Sequence, residues 1–405
     1  MPSPADDFPL LFANALVTGH HEAAWRHPDA EPGRLRDIGY YQALARTAER
    51  GGFDALFVAD FFVYYPGIAH SPRWELDPLT VLAAVAAATE RLGLIATASA
   101  SFSAPEEIAR AFATLDQLSA GRAAWNIVTN GEPRAAANFG LDRPVPHGER
   151  YARAQGAVEA VLALWAGAPA SGVPAPVQPR PVLVQAGSSP DGRDFAARYA
   201  DVVFTAQGTL EAGRAFRADL RARARAAGRP DAPRVVVGLS PSIGTSRADA
   251  LARKAALDAL IPTEVSLAWL EGFGIALAGH DLDGPLPPQL GDVAQFEGIR
   301  SRFGVIADVI ARERPPSVRA LLHLLAGSRG HATVAGTPPD IADHIAAWHA
   351  GGAADGFMLM PHLLPTDLTL FVDTVVPLLQ ARGLRPAQPV DGTLRDRLGL
   401  AALPA

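Results

Sequence analysis

The chain has 405 residues, of which 49% are hydrophobic and 19% charged, a balance that permits a large buried core and excludes a wholly disordered or fibrous protein. Its 36 basic and 42 acidic residues give a net charge of −6, so no basic field favours nucleic acid as a partner. It contains no cysteine, which rules out disulfides, thiolate metal ligands and a cysteine nucleophile. The longest apolar run, near residues 81–88, is too short to span a membrane, and the N-terminus lacks the pattern of a signal peptide. We therefore expect a soluble, cytoplasmic protein that binds neither membrane nor nucleic acid.

Short apolar runs that predict strands alternate along the chain with longer amphipathic stretches that predict helices. The predicted strands are residues 10–16, 55–60, 94–99, 123–129, 182–187, 201–207, 234–240 and 356–360. The predicted helices are residues 37–50, 79–92, 106–118, 149–165, 193–200, 210–227, 246–260, 339–350 and 371–382. Eight nearly continuous apolar strands, each followed by helical material, are typical of a parallel sheet that is buried on both faces. The sequence therefore predicts an α/β fold, a (β/α)8 TIM barrel with insertions at its C-terminal face.

A doubly wound open sheet is the structural alternative to the barrel. It usually carries a GxGxxG motif after the first strand, and this motif is missing here; the Gly-Phe-Gly at residues 272–274 lacks the third glycine. Residues 262–336 are long for a connection and include a helical stretch near residues 303–310. We expect them to form a lid or side insertion within one domain that spans residues 1–405.

Polar residues stand at the ends of several predicted strands, where the active site of a barrel enzyme lies. Asp60 closes the second strand, Thr97 and Ser99 close the third, and Asn126 lies in the fourth. Alternation along a strand places Ile95, Thr97 and Ser99 on one face. Each polar residue alone is compatible with a satisfied core position, but their joint occurrence favours a site.

A turn of Gly187, Ser188 and Ser189 follows the fifth strand and leads through a proline into a helix. Amides and the helix dipole at such an N-terminus favour a phosphate, although a serine cap without any ligand explains the same residues. His147 and Tyr151 are four apart at a predicted helix start and so share one face. Either of them can contact the phosphate or sugar-like chain of a ligand, or serve in packing or at the surface.

Other catalytic motifs are missing from the sequence. The histidines do not form an HExxH motif, and His344 and His349 are five apart and do not share a helix face, so we predict no metal site. No GxSxG elbow or Walker phosphate loop occurs, which weighs against a hydrolase or a kinase.

A series of ordered segments carries a family resemblance over nearly the whole chain. The segments are AWRHP (24–28), FATLDQLSAGRAA (112–124) running into WNIVT (125–129), NFG (138–140), HGERY (147–151), RPVLVQAGSS (180–189), GR (192–193), YADVVFTAQ (199–207), SRGH (328–331), GTP (336–338) and ADGF (354–357). In content and order they resemble the bacterial-luciferase-like flavin monooxygenases, in the branch that contains nitrilotriacetate, alkane and dibenzothiophene-sulfone monooxygenases.

The resemblance implies that reduced FMN (FMNH2) binds at the strand ends and reacts with O2 to form a flavin peroxide. This peroxide would oxygenate a substrate that is a small organic molecule. The residues implied to bind the cofactor are Phe12, Asp60, Thr97, Asn126, His147, Tyr151, Gly187, Ser188 and Ser189. The residues implied to act in catalysis are Asn126, Thr97, His20, Tyr65 and His331. In this scheme Thr97 and Asn126 stabilise the peroxide as neutral donors, whereas the histidines and Tyr65 handle protons or position the substrate.

The same resemblance implies a separate NAD(P)H-dependent flavin reductase, because no nicotinamide-binding domain is evident, and a homodimer or homotetramer. Two alternatives stay open: hydride transfer with a deazaflavin on the same barrel, and a flavin-binding barrel without catalysis. Asn130 stands where the family usually has serine, and residues 166–178 form a shorter connection than usual. Because loops over the barrel mouth set specificity, the resemblance does not predict a particular substrate.

Overall fold

The computed structural model describes residues 8–15, 17–60, 62, 76–130, 133–143, 145–167, 172–288, 290 and 300–400. Within them, nine strands form one sheet in which every pairing is parallel. The strands are β1 (Leu10–Asn14), β2 (Ala55–Val58), β3 (Gly93–Ser99), β4 (Ala123–Val128), β5 (Val182–Gln185), β6 (Val202–Thr205), β7 (Arg234–Ile243), β8 (Ala332–Gly336) and β9 (Gly356–Leu359).

Fifteen α-helices lie in the same described ranges, together with short 3-10 turns at Ala24–Arg26 and Pro32–Arg34. The α-helices are α1 (Ile38–Arg50), α2 (Pro78–Ala86), α3 (Pro105–Leu118), α4 (Pro133–Asn138), α5 (His147–Trp165), α6 (Pro190–Tyr199), α7 (Leu210–Ala226), α8 (Arg247–Asp258), α9 (Thr263–Glu271), α10 (Arg300–Glu313), α11 (Val318–Ala326), α12 (Pro338–Ala350), α13 (Thr366–Thr374), α14 (Val376–Ala381) and α15 (Leu394–Arg397). Two predicted helices differ from the structure: the one at 79–92 ends at Ala86, and the one at 371–382 is divided between α13 and α14.

The sheet closes on itself into an eight-stranded barrel. Strands β1 to β7 pair in sequence, and β9 pairs with both β7 and β1, which completes the circle. The predicted (β/α)8 barrel is therefore confirmed, and the open-sheet alternative is wrong because an open sheet has two unpaired edges.

Strand β8 is not among the strands predicted from the sequence. It falls within residues 262–336, which were expected to contain only a lid or insertion. Its existence depends on β7, which has ten residues and extends beyond its pairing with β9. That pairing ends at residue 239, and residues 239–243 of β7 pair with β8. The strand is thus a consequence of long-range pairing that the local pattern does not contain.

Alternation along the barrel strands divides the core into two parts. Side chains that point inward form one cluster, which includes Phe12, Ile95, Ala124 and Met358. Their chain neighbours point outward beneath the helices and form the larger cluster. Because the period is two, Thr97 shares the inward face with Ile95, and Asn126 shares it with Ala124.

Helices α9, α10 and α11 precede β8 and share a hydrophobic cluster of their own, which includes Leu270, Phe303, Ile306 and Leu321. The Ser240 hydroxyl on β7 donates a hydrogen bond of 2.6 Å to the carbonyl of Gly327, just after α11, which ties this segment to the barrel. That the segment serves as a lid stays a prediction. None of the described helices is long and apolar enough to cross a bilayer.

Candidate active site

Thr97 and Asn126 meet at the C-terminal end of neighbouring strands. They are paired across β3 and β4, and both side chains are buried, at 3% exposure each. The Asn126 amide nitrogen Nδ2 donates to Thr97 Oγ1 at 2.9 Å, and Thr97 Oγ1 donates to the carbonyl of Val58 at 2.9 Å. The structure thus brings these two predicted site residues together on the inner face of the barrel; their roles stay predictions.

This chain of hydrogen bonds fixes the orientation of the Asn126 amide. A hydroxyl has one proton, and Thr97 gives it to Val58, whose carbonyl can only accept. Thr97 must therefore accept from Asn126, which places Nδ2 toward Thr97 and Oδ1 away from it. Asn126 Oδ1 is buried and has no hydrogen-bond partner in the described part of the chain. A buried acceptor of this kind is suited to a ligand that donates a hydrogen bond.

Asn14, at the end of β1, is a second acceptor of the same kind that the sequence analysis did not identify. It shares the inward face with Phe12, is 7% exposed, and its Oδ1 is buried without a partner among the described residues. The signal available in the sequence is its position, two residues after an inward-facing phenylalanine at a strand end. Phe12 itself is 1% exposed and packs in the barrel interior; its contact with a cofactor stays a prediction.

Asp60 lies just beyond β2, where its carboxylate organises the rim. Its Oδ1 accepts from the Phe62 amide at 3.1 Å and holds Phe62 at a left-handed φ of 57°, which is unfavourable for a bulky residue. The Phe62 ring lies edge-on to Phe102 and Phe139, which stack with 4.6 Å between ring centroids. Three loops thus contribute an aromatic cluster to the rim, and Phe139 is 44% exposed.

His20 and His331 come together although they are distant in sequence. Their ring centroids are 6.1 Å apart in an edge-on arrangement, and both side chains are buried. The His331 ring also stacks on Phe204 at the end of β6, with 5.1 Å between centroids and 10° between planes. An added Cβ at Gly238 would lie 2.2 Å from His331 Nδ1, so the absence of a side chain at Gly238 makes room for this ring. The structure therefore gathers two of the predicted catalytic residues; their roles stay predictions.

The turn after β5 and the start of α5 form a second part of the site. Ser189 is the N-cap of α6, and its Oγ accepts from the Gly192 amide at 3.1 Å. The Tyr151 hydroxyl lies 3.5 Å from Ser189 Oγ. An added Cβ at Gly192 would lie 2.8 Å from the Tyr151 oxygen, so this glycine permits the close approach. The predicted serine cap is confirmed, and the cap coexists with a set of groups suited to an anion at a helix N-terminus.

Neighbouring contacts hold this turn in place. Arg193 donates from Nε to the Ser188 carbonyl at 2.9 Å and from Nη1 to Asp219 at 2.9 Å. An added Cβ at Gly187 would lie 2.3 Å from Gln185 Nε2, so the absence of a side chain at Gly187 leaves room for the Gln185 amide in its present position. Because β5 pairs with β4, the turn and Asn126 belong to the same side of the barrel mouth.

The remaining predicted residues are placed as follows. His147 is the first residue of α5, as predicted from the pattern, and its side chain lies outside the described part of the structure. Tyr65 also lies outside the described residues. Asn130, which departs from the family pattern, adopts a left-handed φ of 31° that asparagine tolerates better than most residues. Over the described ranges, no group of three or more potential metal ligands is brought together.

A buried polar cluster lies next to the site and contains His21, the chain neighbour of His20. His21 Nδ1 accepts from the Ala23 amide at 3.1 Å, so His21 Nε2 carries the proton and donates to Asp258 at 3.0 Å. The Asp258 carboxylate also accepts a hydrogen bond of 2.7 Å from the ammonium group of Lys254. Burial opposes ionisation of Asp258, but His21 and Lys254 hold its pKa below the usual value. Burial lowers the pKa of nearby His362 to about 3, so this histidine is neutral at pH 7.

A closed α/β barrel with hydrogen-bonding side chains at the C-terminal ends of its strands has the architecture of the TIM-barrel enzymes. Within that class, residues 15–355 match the model of the luciferase-like monooxygenase family. The chain belongs to this family, and it is an enzyme of the flavin-dependent monooxygenase class.

Curated relatives and solved structures agree with this assignment over almost their full length. The chain is 38% identical to nitrilotriacetate monooxygenase component A of Aminobacter aminovorans, covering 95% of each chain. It is 37% identical to dibenzothiophene-sulfone monooxygenase of Rhodococcus erythropolis, covering 97% of this chain and 96% of the relative. The structure of EDTA monooxygenase from Chelativorans sp. BNC1 superposes with a TM-score of 0.79 at 32% identity, covering 97% of this chain and 99% of that one. The resemblance noted in the sequence is confirmed.

Proposed function

We propose that this chain is the oxygenase component of a two-component monooxygenase, which takes FMNH2 from a separate NAD(P)H-dependent reductase and inserts one oxygen atom of O2 into a small organic molecule. The observation that carries the proposal is the placement of a phosphate-type site, at Ser189 and Tyr151, on the same side of the barrel mouth as the Thr97–Asn126 pair. FMN has a phosphate at one end and a hydrogen-bonding ring at the other, which matches these two sets of groups.

The residues at the phosphate end would bind and neutralise the anionic tail. Helix α6 has ten residues and directs its N-terminal amides and positive dipole end toward the turn. The Ser189 hydroxyl accepts from Gly192 and lies 3.5 Å from the Tyr151 hydroxyl, so both hydroxyl groups can turn their protons toward a phosphate that binds beside them. Ser188 extends the same turn, and Arg193 holds the backbone of that residue. These groups bind the tail without taking part in the reaction.

The residues at the ring end would orient the cofactor and exclude water. Asn126 presents a carbonyl oxygen in a fixed direction, and Asp60 anchors the aromatic rim through the Phe62 amide. His20 and His331 lie side by side, with His331 stacked on Phe204 at the end of β6, where an imidazole can hold or move a proton for the substrate. When bound, the reduced flavin supplies two electrons and the activation of O2, so that one oxygen atom enters the substrate and the other leaves as water.

Relatives support the two-component assignment. The relative from Aminobacter aminovorans is named as component A of its monooxygenase, and another relative, from Pseudomonas putida, is named as an FMNH2-dependent dimethylsulfone monooxygenase. We extend both properties to this chain as part of the proposal. A homodimer or homotetramer and a cytoplasmic location stay predictions.

The proposal is tested by titrating the purified protein with FMN under anaerobic conditions, in the oxidised and in the dithionite-reduced state. We expect saturable binding that the double substitution Ser188→Ala with Ser189→Ala weakens by about tenfold, which corresponds to the loss of about 1.4 kcal/mol from charge-assisted hydrogen bonds. Ser246→Ala, which removes the similar serine cap of α8, a helix to which no cofactor contact is assigned, is the matched control and leaves FMN affinity unchanged. Equal affinity of the double variant and the wild type would contradict the phosphate site.

Turnover separates the proposed reaction from its alternatives. FMNH2 and O2 with a set of candidate sulfur, amine and alkane substrates should give an oxygenated product that contains one atom of 18O from 18O2. Binding of a deazaflavin with hydride transfer and no 18O incorporation would favour the hydride-transfer alternative. Tight flavin binding without any turnover across the set would favour a barrel that only binds flavin.

A further inference from the structure

We propose that the end of the barrel at which the strands begin holds a binding site for a small oxyanion, a phosphate or a carboxylate, with Arg397 as its main hydrogen-bond donor. Arg397 lies in α15, which packs against the starts of β3 and β4 through contacts of Leu394 with Gly93 and Gly121. The Arg397 side chain is 9% exposed, and its Nε and Nη2 atoms are buried without a hydrogen-bond partner in the described part of the chain. The site is remote from the residues assigned to the cofactor and goes beyond the proposed function.

The two unpartnered nitrogen atoms lie on the same edge of the guanidinium group. The N–H bonds of Nε and Nη2 point in parallel, so this edge can donate two hydrogen bonds to two oxygen atoms of one anion. Arg319 uses the same edge to bind both oxygens of Asp283, at 2.8 and 3.1 Å. Arg217 binds Asp355 in the same way. Arg397 therefore presents the geometry that holds a carboxylate elsewhere in this chain.

The carboxylates whose charges act on Arg397 are bound to other groups. Asp54 and Glu49 both attract the guanidinium, but no oxygen atom of the described residues accepts from its Nε or Nη2. Asp54 accepts from Arg385 at 3.0 Å, and Glu49 Oε1 accepts three backbone amides at 2.6–2.9 Å. Burial of a guanidinium group without such a partner is costly, and burial lowers the pKa of Arg397. An oxyanion on the free edge removes this cost.

Arg122 adds a second buried positive charge to the same site. It is 5% exposed, and its guanidinium donates four hydrogen bonds of 2.7–3.1 Å, all to neutral oxygen atoms of the backbone and of Thr89. Burial lowers the pKa of Arg122, and repulsion from Arg397 acts in the same direction. The two arginines therefore lie close enough to repel each other, and a single anion beside Arg397 offsets both charges.

Binding at this site is coupled to the packing of α15. A helix of four residues has no stability of its own, so the place of α15 on the barrel depends on tertiary contacts. An oxyanion on Arg397 adds a contact that exists only in the folded chain, and it stabilises the fold according to its occupancy. We expect phosphate to raise the unfolding temperature in a saturable manner and to slow amide hydrogen exchange in residues 394–398.

The test is a titration with sodium phosphate at constant ionic strength, balanced with sodium chloride and followed by thermal unfolding. All proteins carry Ser188→Ala and Ser189→Ala, which weaken the phosphate site proposed at the mouth. Sodium acetate should give a smaller saturable effect than phosphate, because it also places two oxygen atoms on the fork but carries less charge. Arg397→Gln should weaken the apparent phosphate affinity by at least about tenfold. Arg397→Lys should do the same, since lysine keeps the charge but not the fork.

Arg319→Gln is the matched control, because the fork of Arg319 is already filled by Asp283, and it should leave phosphate affinity unchanged. An unfolding temperature that does not respond to phosphate, or a response that both Arg397 variants retain, would overturn the inference. If Arg397→Gln does not fold, Arg397→Lys and the exchange of residues 394–398 decide.

A further variant tests whether the chain itself supplies the oxyanion. Asp6 and Asp7 lie outside the described residues and shortly precede Pro9, whose carbonyl accepts from Arg385 at 2.9 Å beside Asp54. Asp6→Asn with Asp7→Asn should leave phosphate affinity unchanged. A gain of about tenfold or more would mean that one of these carboxylates competes for Arg397, which contradicts a site for a free anion. Because FMN binding at the mouth is measured separately, failure of this inference leaves the proposed function untouched.

Discussion

Gly238 shows how one residue without a side chain determines the shape of the barrel mouth. An added Cβ there would lie 2.2 Å from His331 Nδ1 and 2.9 Å from Met360 Sδ. The histidine can therefore stack on Phe204 only because position 238 is glycine. Glycine is favoured at position 238 because a side chain there would clash with the His331 ring. Backbone conformation is not the reason, since Gly238 is not among the described glycines with a positive φ.

We expect Gly238→Ala to displace the His331 ring and to lower the free energy of unfolding by about 1–3 kcal/mol, as overpacking of a filled core does. Urea unfolding followed by circular dichroism measures the change. Gly156→Ala is the control: it lies in α5, has no atom within 4 Å of an added Cβ, and should raise stability by up to about 1 kcal/mol. Wild-type stability in Gly238→Ala would contradict the packing argument.

The sequence predicts some of these residues and misses others for a physical reason. Thr97 follows from alternation, because a period of two places it on the same face as Ile95, and Asn126 follows from being a polar residue near the end of an apolar strand. The contact of Gly238 with His331 joins residues in β7 and beyond α11, and no local pattern contains it. The family motifs identify His331 as important but do not show which residue makes room for it.

At the scale of single elements, helix α6 combines a structural cap with the proposed phosphate site. We expect Gly192→Ala to push the Tyr151 hydroxyl away, because the added Cβ would lie 2.8 Å from that oxygen, and to weaken FMN binding by about tenfold. The helix itself should not suffer, since alanine is a better helix former than glycine. Fluorescence titration with FMN measures the effect. Gly304→Ala in α10, with nothing within 4 Å of its Cβ, is the control and should bind FMN as the wild type does; equal affinity of both variants would contradict the role of Tyr151.

Strand β8 depends on contacts that connect three parts of the barrel. The Ser240 hydroxyl faces the carbonyls of Gly327 at 2.6 Å and Met360 at 2.9 Å, so one buried side chain of β7 links the segment after α11 to the end of β9. We expect Ser240→Ala to cost about 1–3 kcal/mol, because the two buried carbonyls share the single proton of this hydroxyl and lose it in the variant. Amide hydrogen exchange should speed up in residues 328–336 more than in β1 to β4. Uniform exchange across all these strands would contradict a local role for Ser240.

The short sequence of β8 explains why it is hard to predict. It reads Ala-Thr-Val-Ala-Gly, which has neither a long apolar run nor a clear alternation, and it is partly exposed. The longer helices and barrel strands are recognisable because their periodicity extends over enough residues. Whether an edge strand of five residues forms depends instead on the strand that pairs with it. Here that partner is the C-terminal part of β7.

At the scale of the whole molecule, the C-terminal segment covers the end of the barrel at which the strands begin. Leu394 and Leu398, both at most 1% exposed, pack into the interior cluster together with residues of the eight barrel strands, β1 to β7 and β9. Beside them, Arg395 donates two hydrogen bonds of 3.1 Å to Asp201, which Arg180 also binds at 2.6 Å. Strand periodicity predicts the barrel, but α15 has only four residues and gives no signal that it seals the barrel.

This buried ion group makes stability depend on pH. Burial acts to raise the pKa of Asp201, but Arg180 and Arg395 outweigh it and hold that pKa below the usual value. A carboxyl group whose pKa is lowered in the folded state contributes stability that is fully present above its unfolded pKa of about 3.9. This stability is lost as the pH falls through the folded pKa.

Arg395→Gln removes one of the two guanidinium groups, which raises the pKa of Asp201 and moves acid unfolding to higher pH. At pH 7 we expect a loss of up to about 3–5 kcal/mol in urea unfolding, moderated because Arg180 still pairs with the carboxylate. Arg319→Gln breaks the exposed pair with Asp283 and serves as the control, with a change below about 1 kcal/mol and no shift in acid unfolding. If both variants unfold at the same pH as the wild type, Asp201 does not set the acid limit of the barrel.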